Sequence, residues 1–138
     1  MSPDQIQLVR QSFARVAPIA DQAATLFYAR LFALDPAISR LFSGSDMPAQ
    51  GRRLMEMIGD AVRLLEQPAQ LDAALRELGK RHVAYGVQDG HYTTVGTALL
   101  ATLADALGPD FTPATRAAWG ALYAHVGDTM QAGAQEVF

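Results

Sequence analysis

The sequence contains no cysteine among its 138 residues. This absence excludes disulfide scaffolds, thiolate zinc sites, iron–sulfur clusters and cysteine nucleophiles. Histidine is scarce as well, with three in the chain, and no two of them have the spacing of a zinc motif, such as four residues apart on one helix. There is no Gly-x-Ser-x-Gly elbow, no Gly-x-Gly-x-x-Gly fingerprint and no Walker loop. Hydrolase and nucleotide-binding functions therefore have no support in the sequence.

Positive charge and long hydrophobic runs are also in short supply. Lys and Arg total 11 against 14 Asp and Glu, a net charge of −3. We therefore expect no nucleic-acid partner, because gripping phosphates takes clustered positive charge. The chain begins without a basic segment leading into an apolar run, and no stretch of about 18 residues is both uncharged and strongly apolar. We expect no secretory signal, no membrane span or membrane partner, and a cytoplasmic location.

Half of the residues are hydrophobic, and their spacing predicts helices. Glycine and proline divide the chain into segments in which apolar residues recur every three or four positions. Ser2 and Gln5 predict a capping box at the start of the first helix, and Asp35-Pro36 predicts the end of the second. A loop is predicted over 43–48 and a helix over 49–66. We expect six substantial helices and no strand, in a single all-α domain over residues 1–138, a length sufficient for a core of its own.

His82 continues a leucine stripe. Leu71, Leu75, Leu78 and His82 step by four, three and four, so the imidazole lies on an otherwise apolar helix face. A lone inward histidine is more often a hydrogen-bonded core residue than a ligand. Neutral imidazole is, however, the commonest protein ligand for transition metals, and apolar surroundings suit a buried haem. The spacing leaves both interpretations open.

Two polar residues interrupt apolar helix segments. Tyr28 follows Leu26-Phe27, and Gln50 lies one turn before Leu54. A buried hydroxyl or amide without a partner costs about 1–3 kcal/mol. Either Tyr28 directs its hydroxyl to water and Gln50 is an exposed first-turn residue, or both side chains point at a bound ligand. Spacing alone does not choose between these alternatives.

A series of short motifs in a fixed order carries a family resemblance. They are Leu26-Phe27-Tyr28-Ala29-Arg30-Leu31-Phe32, Asp35-Pro36, Leu41-Phe42, Gln50-Gly51-Arg52-Arg53-Leu54-Met55, Leu78-Gly79-Lys80-Arg81-His82, Tyr85-Gly86-Val87, His91-Tyr92-Thr93-Thr94-Val95-Gly96 and Ala118-Trp119-Gly120. With them the chain resembles a globin, in particular the single-domain bacterial globins similar to the haem domain of flavohaemoglobins. The resemblance runs from Asp4 to Gln131 and implies a 3-over-3 helical sandwich around haem b.

The resemblance also implies roles for individual residues. His82 matches the proximal iron ligand, and we expect its Nδ1 to donate to a carbonyl one turn earlier, near Leu78. Tyr28 and Gln50 match the distal pair that would act in catalysis. The other implied haem contacts are Phe42, Leu54, Val87 and Tyr92. Candidate partners for the haem propionates, or else members of a solvated helix face, are Arg53, Lys80, Arg81 and Tyr85.

The implied function is reversible binding of O₂, NO, CO or other diatomic gases, and plausibly the conversion of nitric oxide to nitrate. The glutamate that flavohaemoglobins place near the proximal histidine falls on Ala134, with Glu136 two residues away at an end that we expect to fray. The sequence carries no flavin reductase domain, so we expect an external reductase. The alternatives are oxygen storage or delivery, and a haem-free interaction module with a globin fold.

Overall fold

The computed structural model describes residues 1–137, and these form six α-helices joined by turns and short 3₁₀ segments. The helices are α1 (Pro3–Val16), α2 (Ala20–Leu34), α3 (Met47–Arg63), α4 (Pro68–Ala84), α5 (Asp89–Leu107) and α6 (Pro113–Ala134). The 3₁₀ segments are Ala17–Ile19, Pro36–Phe42, Gly108–Asp110 and Gln135–Val137. No strand occurs in this described part, which confirms the predicted all-α class and the number of helices.

The predicted start of α1 and the predicted end of α2 are both confirmed, and both follow from local chemistry. The Ser2 hydroxyl accepts a hydrogen bond from the Gln5 amide (3.1 Å), and the Ser2 amide donates to the Gln5 side chain (3.2 Å). This reciprocal pair satisfies two backbone donors of the first turn that have no partner inside the helix. Helix α2 ends at Leu34, directly before Asp35-Pro36, because a residue that precedes proline is pushed out of the helical region.

Helix α3 begins and ends earlier than predicted. It starts at Met47, inside the segment predicted as a loop, and ends at Arg63, short of Glu66. The early start is explained by the Asp46 carboxylate, which accepts a hydrogen bond from the Ala49 amide at 3.2 Å and so caps the helix. Pro48 falls in the first turn, where its missing N–H costs no helical hydrogen bond.

The main core joins α1 to α6. Trp119 is 1% exposed, and its indole nitrogen donates to the Ser12 hydroxyl at 2.8 Å. That hydroxyl in turn donates to the Leu8 carbonyl at 2.7 Å, so the buried polar atoms of both side chains have partners. Helix α2 packs on α5 and α3, while α6 carries both α1 and α4.

Helix α4 is attached mainly through α6. Leu71 and Leu75 of α4 share a buried cluster with Met130 of α6 and with Leu64. Among the described residues, α4 makes few contacts with α2, α3 or α5. We call the region between α4 and the side of the molecule formed by α2 and α3, where contacts between helices are few, the cleft. Within residues 1–137, we find no helix that could span a lipid bilayer.

Candidate haem site

His82 lies in the last turn of α4 and is half-buried. Its Nδ1 lies 2.7 Å from the Leu78 carbonyl oxygen, which only accepts, so Nδ1 carries the proton and Nε2 keeps a free lone pair. Burial lowers the pKa of His82, the Leu78 carbonyl opposes that fall, and the Arg81 charge adds to it. The imidazole is therefore neutral at pH 7, the form that binds a metal. The hydrogen bond to Leu78 confirms the predicted one.

The position of His82 depends on close contact between the backbones of α4 and α6. A Cβ atom on Gly79 would lie 1.9 Å from the Met130 carbonyl oxygen, and one on Gly133 would lie 2.3 Å from the Arg76 carbonyl oxygen. Only glycine fits at either place. Gly79 belongs to one of the motifs that carry the globin resemblance, but its role in this contact was not predicted from the sequence. A glycine inside a leucine-striped helix, three residues before the histidine, was the available signal.

Tyr28 lies on the opposite side of the cleft in an aromatic cluster. Its side chain is 7% exposed, and its ring centroid is 5.0 Å from that of Phe27, 5.3 Å from that of Phe42 and 5.8 Å from that of Phe32. Leu54 packs against the same cluster. The structure thus brings together Tyr28, Phe42 and Leu54.

Gln50 and Arg53 stand beside Tyr28 on the first turns of α3. Burial raises the pKa of Tyr28, while the Gln50 side chain and the Arg53 guanidinium oppose the rise, which places both groups near the hydroxyl. The Arg53 Nη2 donates to the Gln50 Oε1 at 3.0 Å. This bond assigns the carbonyl end of the Gln50 amide to Arg53 and leaves its NH₂ group as a donor. Arg53 therefore orients Gln50, a role that the sequence did not predict.

The segment after His82 turns back toward the 3₁₀ segment Pro36–Phe42. Gly86 has a φ of +89°, a conformation that favours glycine, and the Val87 amide donates to the His82 carbonyl at 3.0 Å. The exposed ring of Tyr85 lies 5.6 Å from the imidazole of His82. A Cβ atom on Gly86 would be 3.3 Å from the side chain of Leu41, so the turn after α4 contacts the 3₁₀ segment Pro36–Phe42 there.

Three more of the predicted residues lie on α4 or pack against it. Lys80 pairs with Glu77 at 3.1 Å and with Glu136 at 3.4 Å, so its ammonium group already has carboxylate partners, and a propionate contact gains no support. Tyr92 packs against the cluster shared by α4 and α6, near Leu78. Arg81 is exposed on α4, beside His82 in sequence.

Glu136 has cationic partners on α4. Its carboxylate binds Arg76 at 2.6 Å in addition to Lys80. It does not reach the Nδ1 of His82, whose partner is the Leu78 carbonyl. Ala134, the position of the flavohaemoglobin glutamate, is the last residue of α6 and has no polar side chain. A tyrosine–glutamate network on the proximal histidine is therefore absent from the described residues.

A small internal cavity of about 20 Å³ lies behind the aromatic cluster. Phe27, Leu54, Leu99 and Trp119 are among its lining residues. Thr102 is the polar member, and its hydroxyl donates to the Ala98 carbonyl at 2.8 Å. The cavity has room for about one water-sized molecule, and its apolar wall favours a nonpolar one.

Comparisons with known proteins agree with this arrangement. The family model for globins matches residues 25–130. The chain is 32% identical over 127 residues to a protein of Oryza sativa subsp. indica named anaerobic nitrite reductase NSHB5, covering 88% of each chain. It is also 32% identical over 139 residues to the neuroglobin of Danio rerio, covering 91% of this chain and 87% of that one. The chain therefore belongs to the globin family, with the all-α globin fold, and its relatives are haem proteins that bind diatomic gases.

Proposed function

We propose that the cleft holds haem b with the Nε2 of His82 as the iron ligand, and that the protein converts nitric oxide and oxygen to nitrate. The observation that carries this proposal is a neutral histidine of assigned tautomer on α4, with a buried tyrosine and an oriented glutamine across the cleft. The likeness to single-domain bacterial globins and to flavohaemoglobins, the extent of the domain over 1–138 and the cytoplasmic location stay predictions from the sequence.

The residues present fit a haem. The ring needs an apolar wall, which Phe42 and Leu54 supply, and a neutral imidazole with a free lone pair, which His82 supplies. When bound, haem iron held by one histidine offers one open coordination position for a diatomic gas and one electron for its reduction. Arg53, Arg81 and Tyr85 are the proposed neighbours of the propionates, because they are exposed on the two walls of the cleft.

On the distal side, the protein's own groups would hold oxygen. The Tyr28 hydroxyl and the Gln50 amide are hydrogen-bond donors, and oxygen in a haem pocket carries partial negative charge on its outer atom. Each such bond in a dry pocket contributes about 1–2 kcal/mol, or about tenfold in the rate of oxygen release. The aromatic rings around Tyr28 exclude water and so strengthen both bonds.

The overall reaction joins one O₂ and one NO into nitrate and consumes one electron. A haem held by His82 would supply that electron, and an external one-electron donor would have to restore it before a second turnover. Tight retention of oxygen by two donors favours this reaction over oxygen delivery, which needs rapid unloading.

Rapid mixing of the oxygenated protein with nitric oxide tests the proposal. We expect about one nitrate for each haem in a fast phase, and faster oxygen release in both Tyr28→Phe and Gln50→Leu. The control is Gln22→Leu, the same change at an exposed position of α2. A slow or absent reaction contradicts the proposal. Rapid oxygen release by the unmodified protein would support storage or delivery, and a colourless protein after expression with ample haem would support the haem-free alternative.

Nitrite reduction is a second candidate. The rice relative carries that activity in its name, and Arg53 places a cation beside Gln50 and Tyr28, where it would attract an anion. The reaction takes nitrite, one electron and two protons to nitric oxide and water. We expect deoxygenated ferrous protein to consume nitrite more slowly in Arg53→Gln than in the unmodified protein, and equal rates would remove Arg53 from this role.

A further inference from the structure

An open groove of about 500 Å³ lies between α5 and α6, and we call it the α5–α6 groove. The ring of Tyr123 covers Gly96 inside it, since a Cβ atom on Gly96 would lie 2.6 Å from that ring. Short exposed side chains line its edges, among them Thr97 of α5 and Ala124 of α6. Apart from Tyr92, none of the lining residues is a candidate haem contact, so the groove is separate from the cleft.

Two charged residues of opposite sign line the α5–α6 groove. Arg116 and Asp128 are the only lysine, arginine, aspartate or glutamate among its lining residues, and both are exposed on α6. Twelve residues of helix lie between one and the other, a distance of about 18 Å that is too long for an ion pair within one chain. Within residues 1–137, neither side chain has an ion-pair partner.

The surroundings keep the two ends of the groove opposite in charge. Near Arg116, the carboxylates of Asp105 and Asp110 are already neutralised by ion pairs with arginines of α2 and α1. At the other end, Tyr92 lies beside Gly127, and burial together with the charge of Asp89 raises the pKa of Tyr92. Asp89 therefore lies on the Asp128 side and adds to its negative charge.

The stability of α6 does not account for this order of charges. A helix dipole favours acidic residues in the first turn and basic residues in the last turn, and α6 has neither. Residues 117–127, between Arg116 and Asp128, include no lysine, arginine, aspartate or glutamate. An uncharged centre with charges at its edge is the composition of a contact surface between proteins.

A second copy of this chain supplies both missing ion-pair partners. In a two-fold symmetric contact, when one residue meets a second residue of the other copy, the second also meets the first. Two antiparallel α6 helices can thus set Arg116 of each copy against Asp128 of the partner subunit. The same register sets the exposed Ala117 against Gly127 of the partner subunit, and such small residues let two helices approach closely.

We propose that the protein forms a two-fold symmetric dimer through the α5–α6 groove, with Arg116 of each copy paired with Asp128 of the partner subunit. Each α6 then lies over the groove of the other copy, and both clefts stay open. Burial of the uncharged centre supplies the affinity, while the charges at the edge set the antiparallel register. The proposed function and the binding of haem do not enter this inference.

Analytical ultracentrifugation of the full chain over a range of concentrations tests the proposal. We expect a dimer at micromolar concentration that dissociates on dilution. Arg116→Asp creates two like-charge contacts in the dimer, and so does Asp128→Arg, so each should raise the Kd of the dimer about tenfold or more. Arg63→Asp reverses an exposed charge on α3, outside the groove, and should leave the Kd unchanged.

A mixture of the two groove variants distinguishes a lost contact from a lost fold. In a mixed dimer of Arg116→Asp and Asp128→Arg, both contacts again join opposite charges, so the mixture should dimerise as tightly as the unmodified protein. Circular dichroism checks that each variant is helical, as expected for changes at exposed positions. The proposal is overturned if the unmodified protein is a monomer at millimolar concentration, if either variant alone dimerises normally, or if the mixture of folded variants stays monomeric.

Discussion

At the scale of single residues, one hydrogen bond determines what His82 can do. The bond from its Nδ1 to the Leu78 carbonyl leaves Nε2 as the acceptor, and it also restrains rotation of the ring. Because the bond spans one helical turn, its geometry follows from the helix itself. A lysine or glutamine at position 82 would offer no neutral ring nitrogen held in this way.

We expect His82→Ala to abolish haem retention while leaving a folded helical protein. The reason is that the other two histidines are engaged elsewhere: His91 accepts from the Gln88 amide at the start of α5, and His125 pairs with Asp72 at 2.7 Å. The visible spectrum with and without carbon monoxide measures the loss. His125→Ala, a change at an exposed position of α6, is the control and should retain haem. Full haem occupancy in His82→Ala would refute the assigned ligand.

Tyr123 gives a pH dependence that does not involve haem. Its hydroxyl donates to the Tyr92 carbonyl at 2.5 Å, and burial, with Tyr92 adding to the effect, raises the pKa of Tyr123 well above its usual range. The folded state then holds this proton more tightly than the unfolded chain. The contribution to stability is full below the ordinary tyrosine pKa of about 10 and is lost as pH rises beyond it.

Urea unfolding of the haem-free protein at pH 8 and at pH 10.5 measures this dependence. We expect a lower free energy of unfolding at the higher pH, and a smaller difference in Tyr123→Phe. That variant should also lose about 1 kcal/mol at pH 8, because the Tyr92 carbonyl loses its hydroxyl donor. An unchanged pH difference in Tyr123→Phe would show that other groups cause the loss.

At the scale of the elements, α4 holds the candidate ligand but is itself held mainly by α6. Its contact with α6 depends on two glycines that let the helix backbones touch, and Glu136 adds ion pairs at the same end. Since these ion pairs are exposed, they contribute little compared with the backbone contact. The orientation of His82 relative to Tyr28 thus depends on how α4 sits on α6.

We expect Gly79→Ala to destabilise the protein by about 1–3 kcal/mol, because the new methyl group would overlap the Met130 carbonyl and push α4 outward. Haem should also dissociate faster, as the displaced helix carries His82. Gly120→Ala is the matched control: a Cβ there meets nothing within 4 Å, so the change should stabilise α6 by up to about 1 kcal/mol. Thermal unfolding and the rate of haem transfer to an acceptor protein measure both effects. Equal behaviour of the two variants would refute the role of the close contact.

At the scale of the whole molecule, the haem would complete the packing that the helices leave open. Because α4 makes few contacts with α2, α3 and α5, a ligand that bridges the cleft would join the two walls. Anything that binds only the folded state raises its stability by mass action, about 4 kcal/mol at a ligand concentration 1,000 times Kd.

We therefore expect removal of haem to lower the melting temperature, and amide hydrogen exchange to quicken most in α4. Comparison of haem-free and haem-saturated protein by thermal unfolding and exchange checks this. Helix α1, which is joined to α6 through Trp119 and Ser12, should change least and serves as the internal reference. Equal melting temperatures in the two forms would favour the haem-free alternative.

The features that could be predicted from the sequence are local ones. The Ser2 capping box, the end of α2 before Pro36 and the His82 hydrogen bond all join residues within four positions, so helix geometry and side-chain chemistry suffice to place them. The start of α3 was missed although its cause is equally local, because Asp46 was interpreted as part of a turn rather than as a cap.

The remaining features join residues that are distant in the chain. The approach of Gly79 to Met130, the ion pairs of Lys80 and Arg76 with Glu136, and the burial of Tyr28 among its neighbours depend on how the helices cross. No pattern of spacing contains that information, since a helix face shows which side is apolar but not which helix covers it or how closely. Residue order accordingly established six helices and an inward histidine, whereas helix packing established the cleft, the orientation of α4 and the place of each charge around it.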